Sequence, residues 1–394
     1  MEKIIISLFF IFLVLFPFGQ LTKIPLNFLN LSEVHLYLTD ILVFLLVSSW
    51  LIWRLVNKKK KFILPPLAKP IFLFTIFVLI SLLINILNFS VKEMIVAGLY
   101  LARWIFYAGL YFVLFDLKKE FKWLNWQNGR CFLIIIGSAV GIFGFIQYFL
   151  WPNLKALEVL QYDPHFYRVV GTFLDPGFTG LILVFTLLLM IDFWFEEKKK
   201  WLIPLSLVIY SALALTYSRA SWLVFLLAVL LISYFKKSWK FLLVILVLMG
   251  ATYFLLPRPV GEGGKIERTY TIEARLINYR QALMIAKEHP FFGVGFNTYR
   301  YAQRNYGFLD VEEWQVSHAG GGADASWLFV LATTGAFGFL SYLWLWGRAL
   351  KEAKKKTIVL VTLLVLIVHS LFLNSLFYPQ IMAWIWFLLA LSQA

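Results

Sequence analysis

Five ionisable residues within or at the edges of long apolar stretches of this chain are functional candidates, because charges are costly there and often functional. They are Asp40, Arg103, Asp175, Arg219 and Asp324. Arg219 occupies a very short turn between two apolar stretches, and a guanidinium there is suited to binding a phosphate by two parallel hydrogen bonds. A simple anchor at the membrane surface would also explain Arg219.

Arg103 lies near the middle of an apolar stretch among largely aromatic neighbours, including Tyr100, Trp104 and Tyr107. A cation at this depth needs a partner. We therefore consider two explanations for Arg103: a functional polar group inside the membrane, or a structural ion pair with Asp40 or another carboxylate.

Residues 258–322 form the longest polar segment of the chain. Loops of this length are commonly functional or disordered, and the aromatic and aliphatic content here argues against disorder. Residues 273–289 are predicted to form an amphipathic helix with Leu276, Tyr279, Leu283 and Ala286 on one face. Such a helix suits the membrane interface.

The composition identifies the elements that must position these residues. The chain has 394 residues, of which 61% are hydrophobic and only 14% charged, far fewer charges than in a soluble domain. It is predicted to be one all-α, polytopic transmembrane domain spanning residues 1–394. Apolar stretches long enough to cross a bilayer predict about twelve helices. These are residues 4–18, 36–53, 68–87, 94–115, 131–150, 178–195, 201–216, 220–235, 241–256, 325–346, 357–373 and 375–391.

The net charge of +15 comes largely from short basic clusters in every second connection between spans. The clusters are Arg54 with residues 58–61, Lys118 with Lys119 and Lys122, residues 198–200, Lys236 with Lys237 and Lys240, and Arg348 with Lys351 and residues 354–356. This alternation predicts that the clusters and both termini lie in the cytoplasm and that residues 258–322 lie outside. Topology and attraction to anionic lipid account for the charge without nucleic acid as a partner. Residues 4–18 lack a small-residue cleavage site, so they are predicted to be the first span and not a signal peptide.

Four segments of the chain resemble, in order and spacing, the signature blocks of the O-antigen ligase and polysaccharide polymerase superfamily. They read Thr216-Tyr-Ser-Arg-Ala, Arg275-x-x-x-Tyr-x-x-Ala-Leu, Pro290-Phe-Phe-Gly-Val-Gly and Asp324-Ala-Ser-Trp-Leu-(x)6-Gly335-Ala-Phe-Gly338. Each block is short, but together they flank a large polar loop in a protein of many spans. The resemblance covers approximately residues 205–348.

The resemblance implies a metal-independent, inverting glycosyltransferase without a cofactor. Such an enzyme moves glycan from a polyprenyl-diphosphate carrier to a saccharide or lipid-linked acceptor at the outer face of the cytoplasmic membrane. By position, Arg219 and Arg275 match the arginines that neutralise the leaving diphosphate in the family. Arg280 is a weaker third candidate, because five residues do not return to the same helical face. A solvated helix surface would also explain Arg275.

The acceptor hydroxyl needs a base. Ligases of the superfamily carry His-Asn just before the helix that follows the outer loop, whereas this chain has Asp324-Ala325. Asp324 is therefore the candidate base, and the departure favours a polymerase over a ligase. Asp324 is also a suitable N-cap for that helix. His318 is the rival base, because Gly320, Gly321 and Gly322 would let either side chain reach one cavity.

Two further interpretations concern metal and function. The acidic run Asp310, Glu312 and Glu313 lacks a histidine at ligand spacing, so a solvated face is expected there and no metal site. A transporter or flippase of lipid-linked saccharides would also need many spans and intramembrane arginines. It would be expected to show internal repeats or paired broken helices, and neither is evident.

Overall fold

The computed structural model describes residues 1–24, 34–57, 63–156, 165–257, 270–309 and 322–393. Within these ranges the chain is almost entirely helical, apart from one short antiparallel pairing of β1 (Lys23–Ile24) with β2 (Leu36–Tyr37). Its α-helices are α1 (Glu2–Leu15), α2 (Leu38–Val56), α3 (Ala68–Ile84), α4 (Val91–Glu120), α5 (Trp126–Leu150), α6 (Pro176–Glu197), α7 (Leu202–Leu215), α8 (Arg219–Phe235), α9 (Trp239–Leu255), α10 (Tyr270–Glu288), α11 (Tyr299–Asn305), α12 (Ser326–Ala353), α13 (Thr357–His369) and α14 (Pro379–Ser392).

The apolar helices occur where hydropathy predicts spans, because a long apolar run can satisfy its backbone in lipid only by becoming helical. Of the helices in the described ranges, six are long and apolar enough to cross a membrane, the first continuing through the 3-10 turn to Thr22. Six shorter apolar helices occupy the remaining predicted positions: α3, α7, α8, α9, α13 and α14. Helices α10 and α11 lie within the segment predicted to be the outer loop.

The prediction for the last two spans is wrong at their connection. Helix α13 ends at His369 and α14 begins at Pro379, so residues 370–378 form a real connection with a 3-10 turn at Ser375–Phe377. Hydropathy misses it because the connection is apolar yet folded: the Phe377 ring packs against Phe329 and Tyr342 of α12. Contacts with the protein therefore support an irregular backbone in an apolar sequence.

The basic clusters, where the structure describes them, lie at one end of the bundle. At the C-terminal ends of α2 and α4, Arg54 forms an ion pair with Asp116. Arg130, near the start of α5, contacts Glu196 at the end of α6 at 2.5 Å, and Lys236 after α8 contacts Asp192 at 3.2 Å. The opposite end contains the starts of α2, α6, α8, α12 and α14.

Two of the signature blocks bind each other through their backbones. Helix α12 is interrupted at Gly335, whose φ is +64°. There the N–H of Ala336 donates to the Pro290 carbonyl at 2.8 Å, and the N–H of Gly295 donates to the Thr333 carbonyl at 2.9 Å. A Cβ on Gly335 would lie 2.3 Å from the carbonyl carbon of Phe291. Only glycine combines this positive φ with such a close approach.

Helix α10 forms as predicted, and its apolar residues divide between a buried and an exposed face. Asn278, Ala282, Ile285 and Ala286 are buried, whereas Leu276 and Leu283 are exposed. In a membrane protein, small residues bring helices together and large apolar residues can face lipid. The small alanines therefore mark the face of α10 that packs on the protein.

Candidate active site

A polar cavity of about 370 Å³ opens at the end of the bundle opposite the basic clusters. It lies where α4, the start of α6, the start of α12 and the connection 370–378 meet. The polar side chains that line it are Gln20, His35, Tyr37, Tyr100, Arg103, Asp175, Asn297, Asp324, Asn374 and Tyr378. Aromatic rings complete the wall, including Phe178 stacked on Tyr378 at 4.0 Å between ring centroids.

Asp324 lies in the wall of this cavity, just before α12. Ala325 occupies the N-cap position of α12, so the alternative that Asp324 caps this helix does not describe the structure. The Asp324 backbone N–H donates to Asn278 Oδ1 of α10 at 2.9 Å, which fixes the residue beside that helix. Burial raises the pKa of the Asp324 carboxyl above its ordinary value, and the positive charge of Arg275 partly offsets this effect.

Arg275 and Arg280 have different environments on α10. Arg275 is half-buried and lies close enough to Asp324 to lower the pKa of that carboxyl, whereas Arg280 is exposed. Tyr279, one turn after Arg275, donates from its hydroxyl to the Leu371 carbonyl. This bond ties α10 to the connection that borders the cavity. The structure thus brings Arg275, but not Arg280, to Asp324.

Arg219 is the first residue of α8, and it is half-buried. Arg219 is not among the residues that line the cavity. Its helix begins beside the start of α6, which does line the cavity. The Ser221 hydroxyl donates to the Gly177 carbonyl of α6 at 3.2 Å. Asp175 caps α6 by accepting from the backbone N–H groups of Gly177 and Phe178 at 2.7 and 2.8 Å, and it lines the cavity.

The starts of α6, α8 and α12 therefore gather at the end of the bundle that holds the cavity. The N-terminal end of a helix carries partial positive charge from its unpaired N–H groups. Together with Arg219 and Arg275, these helix ends favour an anionic group at this end of the protein.

Arg103 and Asp40 form an ion pair, one of the two explanations that the sequence allowed for Arg103. Arg103 Nη2 and Asp40 Oδ2 are 2.7 Å apart. The Tyr107 hydroxyl donates to Asp40 Oδ1 at 2.9 Å, and the Arg103 guanidinium lies 4.8 Å from the Tyr100 ring centroid. The pair is also part of a boundary. Arg103 and Tyr100 line the polar cavity and, on their other side, a second cavity of about 330 Å³.

This second cavity, the apolar cleft, lies between α2 and α4. Apart from Asp40, Arg103 and the tyrosines at its polar end, its lining is apolar and includes Ile41, Phe44, Leu99 and Phe106. Phe44 and Leu99 are 47% and 41% exposed, so the cleft borders the outer surface of the bundle. Polar and apolar cavities thus adjoin at Arg103.

Several expectations lie outside the described residues. His318, the rival base, and the acidic run Asp310, Glu312 and Glu313 belong to residues 310–321. In the ranges that the structure describes, no group of three or more His, Cys, Asp or Glu side chains is placed to hold a metal ion.

The structure adds residues that sequence reasoning missed. Asn374, Asn297, Gln20 and Tyr378 line the cavity, and none of them was a candidate. Asn374 could have been recognised from the sequence, because it is a lone polar residue between two predicted apolar spans. Gln20 accepts a hydrogen bond from the Tyr37 hydroxyl at 2.7 Å, a contact that only the folded chain creates.

The fold and the apolar helices define a multi-pass helical membrane protein with a polar cavity at one end of its bundle. Residues 204–343 match the family model described as O-antigen ligase. The match confirms the resemblance to the O-antigen ligase and polysaccharide polymerase superfamily, and it contains Arg219, Arg275 and Asp324. It supports a membrane enzyme of the O-antigen ligase or polymerase type. No curated protein matches the chain.

Proposed function

We propose that this protein is a membrane glycosyltransferase that transfers or polymerises glycan from a polyprenyl-diphosphate-linked donor. One observation carries the proposal: Asp324, with Arg275 close by, lines a polar cavity that adjoins an apolar cleft at Arg103. A donor of this class has a polar head and a long apolar chain. A polar cavity with an apolar neighbour at the bundle surface suits both parts.

The proposed reaction assigns a role to each group. The Asp324 carboxylate accepts the proton of the acceptor hydroxyl while that oxygen bonds to the anomeric carbon of the donor sugar. The bond from the anomeric carbon to the diphosphate oxygen breaks, and the electron pair leaves with the diphosphate. Attack from the face opposite the leaving group inverts the anomeric centre. His318 is the alternative base.

Arg219 and Arg275 are the proposed partners of the diphosphate, with Arg280 a weaker third because its side chain is exposed. Guanidinium groups can stabilise the charge that develops on the leaving group without a metal ion. The raised pKa of Asp324 suits a base, since a carboxyl with a higher pKa is a better proton acceptor.

The orientation follows from the charge distribution. The described residues of the basic clusters lie at one end of the bundle, and the positive-inside rule assigns that end to the cytoplasm. The termini would then lie in the cytoplasm, and the cavity would face the outer side of the cytoplasmic membrane. The outer face is where lipid-linked glycans would meet the enzyme.

We favour polymerisation over ligation. The chain carries Asp324-Ala325 where ligases of the superfamily carry His-Asn. A carboxylate can accept a hydroxyl proton as an imidazole does. Replacement of His-Asn by Asp-Ala therefore preserves a general base but changes the side chains around the acceptor.

The test is transfer by the purified protein in detergent, supplied with polyprenyl-diphosphate oligosaccharides in the presence of a chelator. We expect a ladder of longer lipid-linked products, lost in Asp324→Ala and retained in His318→Ala. Loss in His318→Ala alone would give the role of base to His318. Absence of elongation and ligation with every donor, together with movement of donor across liposomes, would replace the proposal by a transporter.

A further inference from the structure

A third cavity, the lateral cleft, lies at the side of the bundle between the end of α6 and the starts of α7 and α9. Its volume is about 270 Å³, and it shares no lining residue with the polar cavity or the apolar cleft. Its lining is apolar apart from the hydroxyls of Ser206 and Tyr210. The proposed transfer reaction makes no use of this cavity.

Helix α9 stands apart from the bundle and leaves the cleft open. None of the residues Trp239–Leu255, all of which the structure describes, is buried. Two contacts hold the helix in place. The Tyr210 hydroxyl of α7 donates to Thr252 Oγ1 at 3.0 Å, and the Phe241 ring meets the Phe195 ring of α6 edge to face at 5.3 Å between centroids. The cleft is therefore a fixed opening between two points of attachment.

The length of the cleft fits one leaflet of a membrane. Its lining runs from Leu202 to Tyr210 along α7, which is about 12 Å at the rise of an α-helix, and from Phe241 to Leu248 along α9, about 10 Å. One leaflet contributes about 15 Å, half of the hydrocarbon core of a bilayer. The cleft can thus hold most of one acyl chain.

The headgroup level of the membrane coincides with the basic end of the cleft. Trp201 and Trp239, at the starts of α7 and α9, are 57% and 65% exposed, and exposed tryptophans are typical of the membrane interface. Neither α7 nor α9 has a side-chain cap at its start. Their first backbone N–H groups therefore add to a positive potential that favours a phosphate.

Lysines flank the same end of the cleft, in the connections that follow α6 and α8. The carboxylates beside them are already paired with cations. These pairs are Asp192 with Lys236 at 3.2 Å, Glu196 with Arg130 at 2.5 Å and Glu197 with Lys199 at 2.8 Å.

Four lysines of these two connections remain without an ion pair in the described part of the chain. They are Lys198, Lys200, Lys237 and Lys240, and all four are exposed. Lys198 reaches the cleft itself, because its Nζ atom lies 4.4 Å from the ring centroid of Trp194, which lines the cleft. An apolar slot with unpaired cations at its interfacial end is complementary to an anionic lipid.

We propose that the lateral cleft binds one acyl chain of an anionic phospholipid, whose headgroup phosphate is held by Lys198, Lys200, Lys237 and Lys240. The lipid comes from the leaflet at the basic end of the bundle, which the positive-inside rule assigns to the cytoplasm. The site lies at the opposite end from the polar cavity, and its occupation does not depend on the proposed transfer reaction.

The experiment is native mass spectrometry of the full-length protein in detergent, titrated with phosphatidylglycerol or with phosphatidylcholine of the same acyl chains. We expect the wild type to hold one phosphatidylglycerol at least tenfold more tightly than phosphatidylcholine. A lysine near the membrane contributes about fivefold in affinity for anionic lipid, so Lys198→Gln combined with Lys240→Gln should lose about 25-fold. The control, Lys351→Gln combined with Lys354→Gln, removes the same charge at the same end of the bundle, away from the cleft, and should keep the wild-type affinity.

A second pair of variants tests the cleft. Leu207 and Val208 are neighbours on α7 with similar exposure, 48% and 43%, but only Leu207 lines the cleft. Leu207→Trp should weaken the binding of phosphatidylglycerol at least tenfold, whereas Val208→Trp should bind as the wild type does. Thermal unfolding without added lipid checks that each variant is folded. Ile203→Trp, at another exposed position of the lining, replaces Leu207→Trp if that variant unfolds.

Four results would overturn the proposal. Equal affinity of the wild type for the two phospholipids would remove the anionic headgroup from it. Equal losses in the two double lysine variants would show attraction to the whole basic end and no site at the cleft. Binding by the folded cleft-filling variant equal to that of Val208→Trp would place the lipid elsewhere. Displacement of phosphatidylglycerol by an equal concentration of a polyprenyl phosphate would make the cleft a site for the glycan carrier.

Discussion

Replacement of Asp324 by asparagine should separate catalysis from stability. Asparagine has nearly the same shape, and the backbone bond from residue 324 to Asn278 does not depend on the side chain. Removal of a general base should lower kcat by about 10²- to 10⁴-fold. This loss corresponds to about 3–5 kcal/mol of transition-state stabilisation.

The stability of the same variant should change in the opposite direction. Burial raises the pKa of Asp324 in the folded protein, so folding favours the neutral carboxyl. Its stabilising contribution is present below the unfolded pKa and is lost as pH rises through the folded pKa. At neutral pH, Asp324→Asn should therefore unfold at the same temperature as the wild type or at a higher one.

The pH dependence provides an independent readout of the same base. The base acts when deprotonated, so kcat/KM should rise with pH through an acid limb that lies above the ordinary aspartate value of 3.8. Arg275 lowers the pKa of Asp324, so Arg275→Gln should shift this limb to higher pH in addition to slowing transfer.

The assays are initial rates of product formation across pH and thermal unfolding in detergent, both on purified protein. The reasoning would be refuted if Asp324→Asn kept wild-type rates, or if it lost activity only because it unfolded. An acid limb at the same pH in the wild type and in Arg275→Gln would refute the electrostatic link between the two residues.

Three further perturbations test the cleft, the kink and the ion pair. Ala102→Trp should fill part of the apolar cleft that Ala102 lines and reduce transfer from long-chain polyprenyl donors about tenfold or more, while donors with a short prenyl chain react normally. Gly335→Ala should destabilise the fold by more than about 4 kcal/mol, measured by thermal or denaturant unfolding. Gly347→Ala in the same helix is the control: no atom lies within 4 Å of the added Cβ, so it should be neutral or stabilising. Arg103→Met should cost about 3–5 kcal/mol of stability by leaving Asp40 uncompensated, and addition of Asp40→Asn should recover most of it; equal unfolding temperatures for single and double variants would contradict this.

The positions of most helices followed from the sequence. Hydrophobicity and length act locally, because a backbone in lipid must satisfy its own hydrogen bonds whatever its neighbours are. The cost of a charge in lipid made an ion pair with Asp40 or another carboxylate one of two explanations for Arg103, and the structure contains the pair with Asp40. The shared signature blocks indicated Arg275 and Asp324, which the fold places near each other.

The tertiary structure decided which residues share the cavity. Hydrophobicity could not identify the buried face of α10, because Leu276 is exposed while Ala282 packs against protein. Nor could it show that the apolar connection 370–378 folds irregularly and brings Asn374 to the cavity. The sequence by itself determined which segments form apolar helices, because each backbone must satisfy its own hydrogen bonds in lipid. Which polar side chains come together was decided only by packing between segments that are distant in the chain.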